Sequence, residues 1–400
     1  MRTDEAEGAG WRTPTKCWGL TVMPKANLTL AEKVGQLFMV GFEGTKVTPE
    51  LAAWMTRYGW GGVIIFGRNV ESPAQLLALT QGLRAAVRAY SHLPLLVAVD
   101  QEGGRVARLK APFSVFPSAA RVGQTGSEQL ACNVGEVIAT ELRAVGITMD
   151  MAPVLDVLTN PANTVIGDRA FSTDPQGVAR LGTAFMRGMH AAGVLAVGKH
   201  FPGHGDTRLD SHIALPISER TAAQLNACEL RPFEAAIAAG LEAIMTAHVI
   251  YKAWDPHLPA TLSSSILTGI LRGEKRFPGV IISDDLGMAA VSEIMPWEDV
   301  PVQALRAGVD LLLICHHRER QEQAYARVLS AVQHGELPGA LVDRAVARVH
   351  ALKSRLHRLL QDVAPPATLA SIGSIEHQAL ATSIVAQPAS RATRKDPYGD

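Results

Sequence analysis

Four hundred residues, 47% hydrophobic and 19% charged, suffice for one large domain or two ordinary ones with a sizeable core, and exclude extensive disorder. The 38 basic and 38 acidic side chains cancel, and no Lys/Arg-rich block precedes the extreme C-terminus, which excludes a nucleic-acid binder with a broadly basic surface. Four scattered cysteines, Cys17, Cys132, Cys228 and Cys315, form no CxxC pair, so a zinc ribbon or small disulfide scaffold is excluded and free cytosolic thiols are expected.

Residues 1–26 carry acidic side chains and no apolar core run, so they read as a tail rather than a secretory signal. Met23, directly before PKANLTLAEKVGQLFMVGF, is an alternative start of translation. Within that stretch Thr29 opens T-L-A-E, a capping box for a first helix. Short apolar runs then recur as candidate strands: QLFMVGF (36–42), GVIIF (62–66), LLVAVD (95–100) and TMDMAPVLDV (148–157). They continue with LAVGKH (195–200), AIMTAHVI (243–250), GVIISDD (279–285) and DLLLIC (310–315). Between them lie helical patterns such as SPAQLLALTQGLRAAVRAY (72–90), with Ser72 and Pro73 as cap and first turn. No run approaches the roughly 18 apolar residues of a membrane span. A soluble, cytoplasmic, monomeric protein without membrane or nucleic-acid partners is expected. Beyond Leu360 the chain turns Ala/Ser/Pro-rich, and 361–400 reads as a mobile C-terminal tail.

Eight strands alternating with helices fit an α/β fold, either a (β/α)8 TIM-type barrel or an open doubly wound sheet. No GxGxxG turn or P-loop follows the first strand, and polar residues cluster past several strands: Asp100, Asp156, Lys199 with His200, His248, and Asp284 with Asp285. A barrel gathers such positions into one mouth, so a single barrel with long catalytic loops is the expectation.

Chemistry concentrates in KHFPGHGDTRLDSHIALP (199–216), where Pro202, Gly203 and Gly205 preclude regular structure. Asp210 and His212 stand two apart, so a carboxylate can polarise an imidazole for general acid/base work; the alternative is a turn with a surface histidine. His200, His204, Asp206, Asp210 and His212 could ligate a metal, but their spacing in a Gly-rich loop matches no zinc template. Asp284, at the exit of a buried strand, is either a nucleophile or a helix cap. Asp100 opens DQEGGRVARLK, where Gly103 and Gly104 permit a sharp turn and Arg105, Arg108 and Lys110 follow; Arg169 stands in NTVIGDRAFSTDP. Such carboxylates and guanidinium groups suit sugar hydroxyls, or form surface ion pairs.

Taken together, AEKVGQLFMVGF, GGVIIF, VDQEGGRV, APVLDV, IGDRAFSTDP, KHFPGHGDTRLDSHIALP, AIMTAHV and ISDDLGM resemble glycoside hydrolase family 3, in its β-N-acetylglucosaminidase branch. The resemblance covers 27–360 as one catalytic domain. It implies a retaining hydrolase with Asp284 as nucleophile and His212, polarised by Asp210, as acid/base. A neutral imidazole places no second anion beside the nucleophile. It further implies that Asp100, Arg108, Arg169, Lys199 and His200 bind a terminal N-acetylglucosamine, with His248 and Met288 near the same mouth. No metal or organic cofactor is implied. The implied substrate is a carbohydrate, a cell-wall muropeptide fragment in peptidoglycan recycling. SIEHQALATSIVAQ resembles the start of a connection to a second domain. Alternatives are a family 3 β-glucosidase, a β-N-acetylglucosaminide phosphorylase, a metal-dependent hydrolase and a non-catalytic sugar-binding barrel.

Overall fold

Thr29 opens helix α1 (Leu30–Gln36) by the reciprocal bonds expected of T-L-A-E. Its Oγ1 accepts from the Glu32 N–H at 3.3 Å, and the Glu32 carboxylate accepts from the Thr29 N–H at 2.6 Å. The computed structural model describes residues 28–87, 95–207, 215–292, 294–362 and 368–387. After α1 come β1 (Phe38–Val40), α2 (Pro49–Tyr58), β2 (Gly62–Ile65), α3 (Pro73–Val87) and β3 (Leu96–Val99). Ser72 caps α3, its Oγ accepting from the Gln75 N–H at 3.2 Å. Next are α4 (Glu128–Ala144), β4 (Met149–Asp150), α5 (Pro175–Ala191), β5 (Leu195–Phe201), α6 (Leu230–Ala238) and β6 (Ala243–Thr246). The barrel ends with β7 (Val280–Ile282), α7 (Val300–Ala307), β8 (Leu312–Ile314), α8 (Arg318–Gln333) and α9 (Gly339–Asp362).

The eight strands are parallel and pair in chain order from β1 to β7, while β8 returns to β1 with Phe38 opposite Leu312 and Val40 opposite Ile314. A bridge from Ile282 to Leu311 joins β7 to β8 and closes the ring into the expected (β/α)8 barrel. Strand alternation divides the core. In β3, Leu96 and Ala98 pack inward with Met39, Ile64 and Met149, whereas Val97 and Val99 pack outward with the helices.

Two expected strands differ in extent. The run 148–157 forms a ladder only at Met149–Asp150 and touches β5 again at the Val154–Lys199 bridge. Pro153 has no N–H to offer the ladder, which accounts for the break. The expected strand LAVGKH (195–200) forms β5 and runs one residue further, to Phe201. Its register with β6 shifts between Gly198 and Phe201. Consecutive strand residues ordinarily face opposite sides, and this irregularity lets Lys199 and His200 both reach the mouth.

Helix α9 covers the opposite end. Val349, Leu352 and Leu356 join the cluster inside the barrel. Lys353 Nζ donates to Gln36 (2.6 Å), Arg348 to Asp310 (2.8 Å), and Arg355 approaches Glu242 (3.4 Å). Those three partners immediately precede β1, β8 and β6, so α9 is the floor and the strand C-termini form the open mouth. The C-terminal segment departs from the expectation of a mobile tail. Helix α9 runs through Asp362, and α10 (Ile375–Ala386) docks on the barrel. Glu141 accepts from the Gly373 N–H (2.9 Å) and lies 2.8 Å from His377 Nδ1; Arg121 donates to the Val385 carbonyl (2.8 Å). The Ala-rich composition that reads as tail is also strongly helix-forming, and Ala381 and Ile384 supply an apolar contact. The tail before residue 28, including Met23, lies outside the described residues. Among the described residues no helix is long and apolar enough to cross a membrane.

Candidate active site

The mouth holds a cavity of about 540 Å³ whose wall draws on the ends of different strands. Phe66 follows β2, Asp100 and Glu102 follow β3, Lys199 and His200 end β5, Asp284 and Met288 follow β7, and Cys315 and His316 follow β8. Arg105, Arg108, Thr164, Arg169, His204 and Asp285 add to the polar lining. Of the residues singled out from sequence, the cavity gathers Asp100, Arg105, Arg108, Arg169, Lys199, His200, His204, Asp284, Asp285 and Met288.

One side is an ionic cluster. Lys199, almost fully buried, places Nζ 2.8 Å from Asp100 Oδ1 and 2.6 Å from Glu102 Oε1. Arg169 grips Glu102 with both arms of its fork, Nε to Oε2 at 2.9 Å and Nη2 to Oε1 at 2.8 Å. Arg108 approaches Asp100 Oδ2 at 3.6 Å. Burial pushes the Glu102 carboxyl up, but Lys199 and Arg169 overcome it and hold the group down at about 2. Burial likewise pulls Lys199 down, and Asp100 with Glu102 outweigh it, so its ammonium is raised above the usual lysine value. The turn carrying these carboxylates depends on Gly103 (φ +95°) and Gly104 (φ +56°); a Cβ on Gly103 would lie 2.8 Å from the Pro117 carbonyl.

Beneath the cluster Asp150 is wholly buried. One oxygen accepts from the Gln101 N–H at 2.9 Å, and among the described residues the other has no hydrogen-bond partner. Burial is the main cause of a carboxyl pushed up to about 8, so it is largely protonated at neutral pH.

A second buried carboxylate, Asp156, organises the end of β5. It lies 2.7 Å from His200 Nδ1 and accepts from the backbone N–H groups of His200 (3.1 Å) and His204 (2.7 Å). Arg169 Nη2 lies 3.4 Å from His200 Nε2. The arrangement fits a hydrogen on Nδ1 and a lone pair on Nε2. Burial and the neighbouring His200 lower His204 to about 4.

The S-D-D turn divides its labour. Both aspartates line the cavity, but Asp285 Oδ1 accepts from the N–H groups of Gly287 (3.0 Å) and Cys315 (3.1 Å), while Asp284 accepts only from the Asp285 N–H (2.8 Å) among the described residues. Burial pushes the Asp284 carboxyl up, but His248, His200 and the backbone bond prevail, so it is held below the usual aspartate value. A carboxylate kept ionised at a cavity wall is suited to nucleophilic work. His248 is fully buried and lies outside the lining: Nε2 donates to the Asp285 carbonyl (3.0 Å) and Nδ1 is 2.8 Å from the Thr261 hydroxyl. It supports the turn from behind.

Asp210 and His212 lie outside the described residues. The other metal candidates are engaged separately: His200 with Asp156, His204 with Thr207 (2.8 Å), and Asp206 with Arg220 (3.2 Å). Among the described residues no group of three or more His, Cys, Asp or Glu could hold a metal ion. Arg105 pairs with Asp168 (2.9 Å) and donates to the Thr164 and Val165 carbonyls, tying together the rim. Sequence reasoning passed over Glu102 and Asp150. The former stands two residues after Asp100, a spacing that places both on one side of an extended chain; for Asp150, inside an apolar run, the sequence carries no signal.

Residues 29–352 match the glycosyl hydrolase family 3 N-terminal domain. A beta-hexosaminidase of Thioalkalivibrio sulfidiphilus is 44% identical over 321 residues, 79% of this chain and 89% of that protein. A beta-hexosaminidase of Pseudomonas aeruginosa is 45% identical over 289 residues, 72% of this chain and 85% of its own. The solved structure of a family 3 beta-N-acetylglucosaminidase from Paenibacillus sp. superposes with a TM-score of 0.84 at 42% identity, covering 89% of this chain and 68% of that one.

Proposed function

The chain belongs to glycosyl hydrolase family 3, and on that footing we propose that it is a retaining β-N-acetylglucosaminidase. It removes terminal, non-reducing β-linked N-acetylglucosamine through a covalent glycosyl-enzyme. The observation that carries the reading is Asp284, held ionised at the wall of the cavity that also gathers Asp100, Arg108, Arg169, Lys199 and His200. The sugar choice is supported by relatives named beta-hexosaminidase and by the structural neighbour named beta-N-acetylglucosaminidase.

In the first step Asp284 attacks the anomeric carbon while His212, polarised by Asp210, protonates the departing glycosidic oxygen. In the second, His212 takes a proton from water, the water oxygen attacks the anomeric carbon, and the Asp284 ester bond breaks. The roles of His212 and Asp210 rest on the resemblance of their loop, whose earlier residue His204 lines the cavity. Asp100, Arg108, Arg169, Lys199 and His200 hold the sugar hydroxyls, Met288 lies against the bound ring, and His248 acts through the Asp284–Asp285 turn. No metal or organic cofactor enters these steps. The muropeptide substrate and the cytoplasmic setting rest on the branch resemblance.

Hydrolysis of aryl β-N-acetylglucosaminide beside aryl β-glucoside, with and without phosphate, tests the reading. A strong preference for the acetamido sugar and a rate independent of phosphate are expected. Equal use of both sugars points to a β-glucosidase, and a glycosyl phosphate product to a phosphorylase.

A further inference from the structure

Glu102 is shared by two cations of the cavity, and its own carboxylate is nearly sealed. Its side chain is 4% exposed, against 16% for Asp100, and the fork of Arg169 and the ammonium of Lys199 already occupy both oxygens. Glu102 belongs to the cavity wall, but its oxygens are already taken by these two cations. Lys199 stands on it at 2.6 Å and on Asp100 at 2.8 Å, and Arg108 also approaches Asp100. Without the Glu102 anion, Lys199 and Arg108 would both depend on Asp100, and Arg169 would lose both bonds of its fork. That would consume lone pairs otherwise open to a ligand hydroxyl, and would leave Lys199 and Arg169 without a fixed direction.

We propose that Glu102 is a positioning residue for hydroxyl recognition: it fixes Lys199 and Arg169 and keeps Asp100 free to accept from a polyhydroxylated ring. The assignment rests on the sugar-binding reading of this cavity. An amide at position 102 could accept from one cation but would turn its own N–H groups toward the other. An aspartate keeps the charge yet falls one methylene short of reaching both.

The test is calorimetric titration of the wild type, Glu102→Gln and Glu102→Asp with N-acetylglucosamine. Affinity is expected to fall about tenfold or more in Glu102→Gln and about threefold in Glu102→Asp, because the bonds Lys199 and Arg169 make to the sugar lose their geometry. The number of sites per folded chain is expected to stay constant. A purely structural role would instead lower that number at unchanged dissociation constant, and such a result overturns the proposal. Should Glu102→Gln fail to fold, Glu102→Asp decides, and wild-type affinity there is equally fatal. A wild type that does not bind N-acetylglucosamine overturns the sugar-binding reading itself, and the proposal with it, whereas wild-type binding matched by both variants removes the proposal alone.

Discussion

Asp284 and Asp285 are neighbours in the chain with opposite surroundings. Both line the cavity, but the carboxylate of Asp285 is tied to the backbone N–H groups of Gly287 and of Cys315 just past β8, while that of Asp284 is held ionised by His248 and His200 despite burial. The aspartate that ties the S-D-D turn to the backbone and the one proposed as nucleophile are thus two different residues. Asp284→Asn should lower kcat/KM on aryl β-N-acetylglucosaminide by about a thousandfold or more, with little change in Tm. Asp285→Ala should lower stability by about 1–3 kcal/mol, since it strands two backbone N–H groups. Thermal melts and steady-state kinetics on both variants check the division; an active Asp284→Asn enzyme would remove the nucleophile assignment.

Asp156 sets the orientation of His200 from beneath. In Asp156→Asn the amide can present N–H to Nδ1, which favours the opposite tautomer and turns an N–H on Nε2 toward Arg169. Activity should fall by about a hundredfold while the fold survives, in line with tautomer errors at other buried carboxylate–imidazole pairs. Kinetics, with circular dichroism as the folding control, give the answer. Undiminished activity would mean that the tautomer of His200 is immaterial.

The buried Asp150 predicts a pH effect of definite sign. Its folded-state carboxyl is raised to about 8 from an ordinary value of 3.8. Between those values the folded chain holds a proton that the unfolded chain has released, so this group makes stability decline as pH rises from about 4 to about 8. Asp150→Asn removes the decline. Its Tm relative to wild type should therefore be higher at pH 8.5 than at pH 5, and an equal offset at both would contradict the assignment.

Chelation separates the acid/base mechanism from a metal-dependent one. His200, His204 and Asp206 are each engaged by a different protein partner, Asp156, Thr207 and Arg220. Activity should persist after dialysis against EDTA. Loss on chelation with recovery on adding zinc would return the histidine loop to the metal reading.

Much of the barrel was legible in the chain. The Thr29 capping box, the Ser72–Pro73 helix start and all eight strand positions follow from residues within a few places of one another, because capping bonds and apolar periodicity are local. The polar residues past those strands were legible too, once a parallel barrel gathers its strand ends at one mouth. Local pattern did not reveal which polar side chain does what. Glu102 meets Arg169 across 67 positions and Asp100 meets Lys199 across 99, so their charges acquire meaning only when distant strands come together. The same holds for Asp284 against Asp285, told apart by a backbone N–H 30 residues away. It holds as well for α9, whose last turns look like any amphipathic helix until Lys353 finds Gln36 at the barrel floor. Local chemistry determined the elements and the candidate residues; long-range burial and charge pairing, which exist only in the closed barrel, assigned each of them its place.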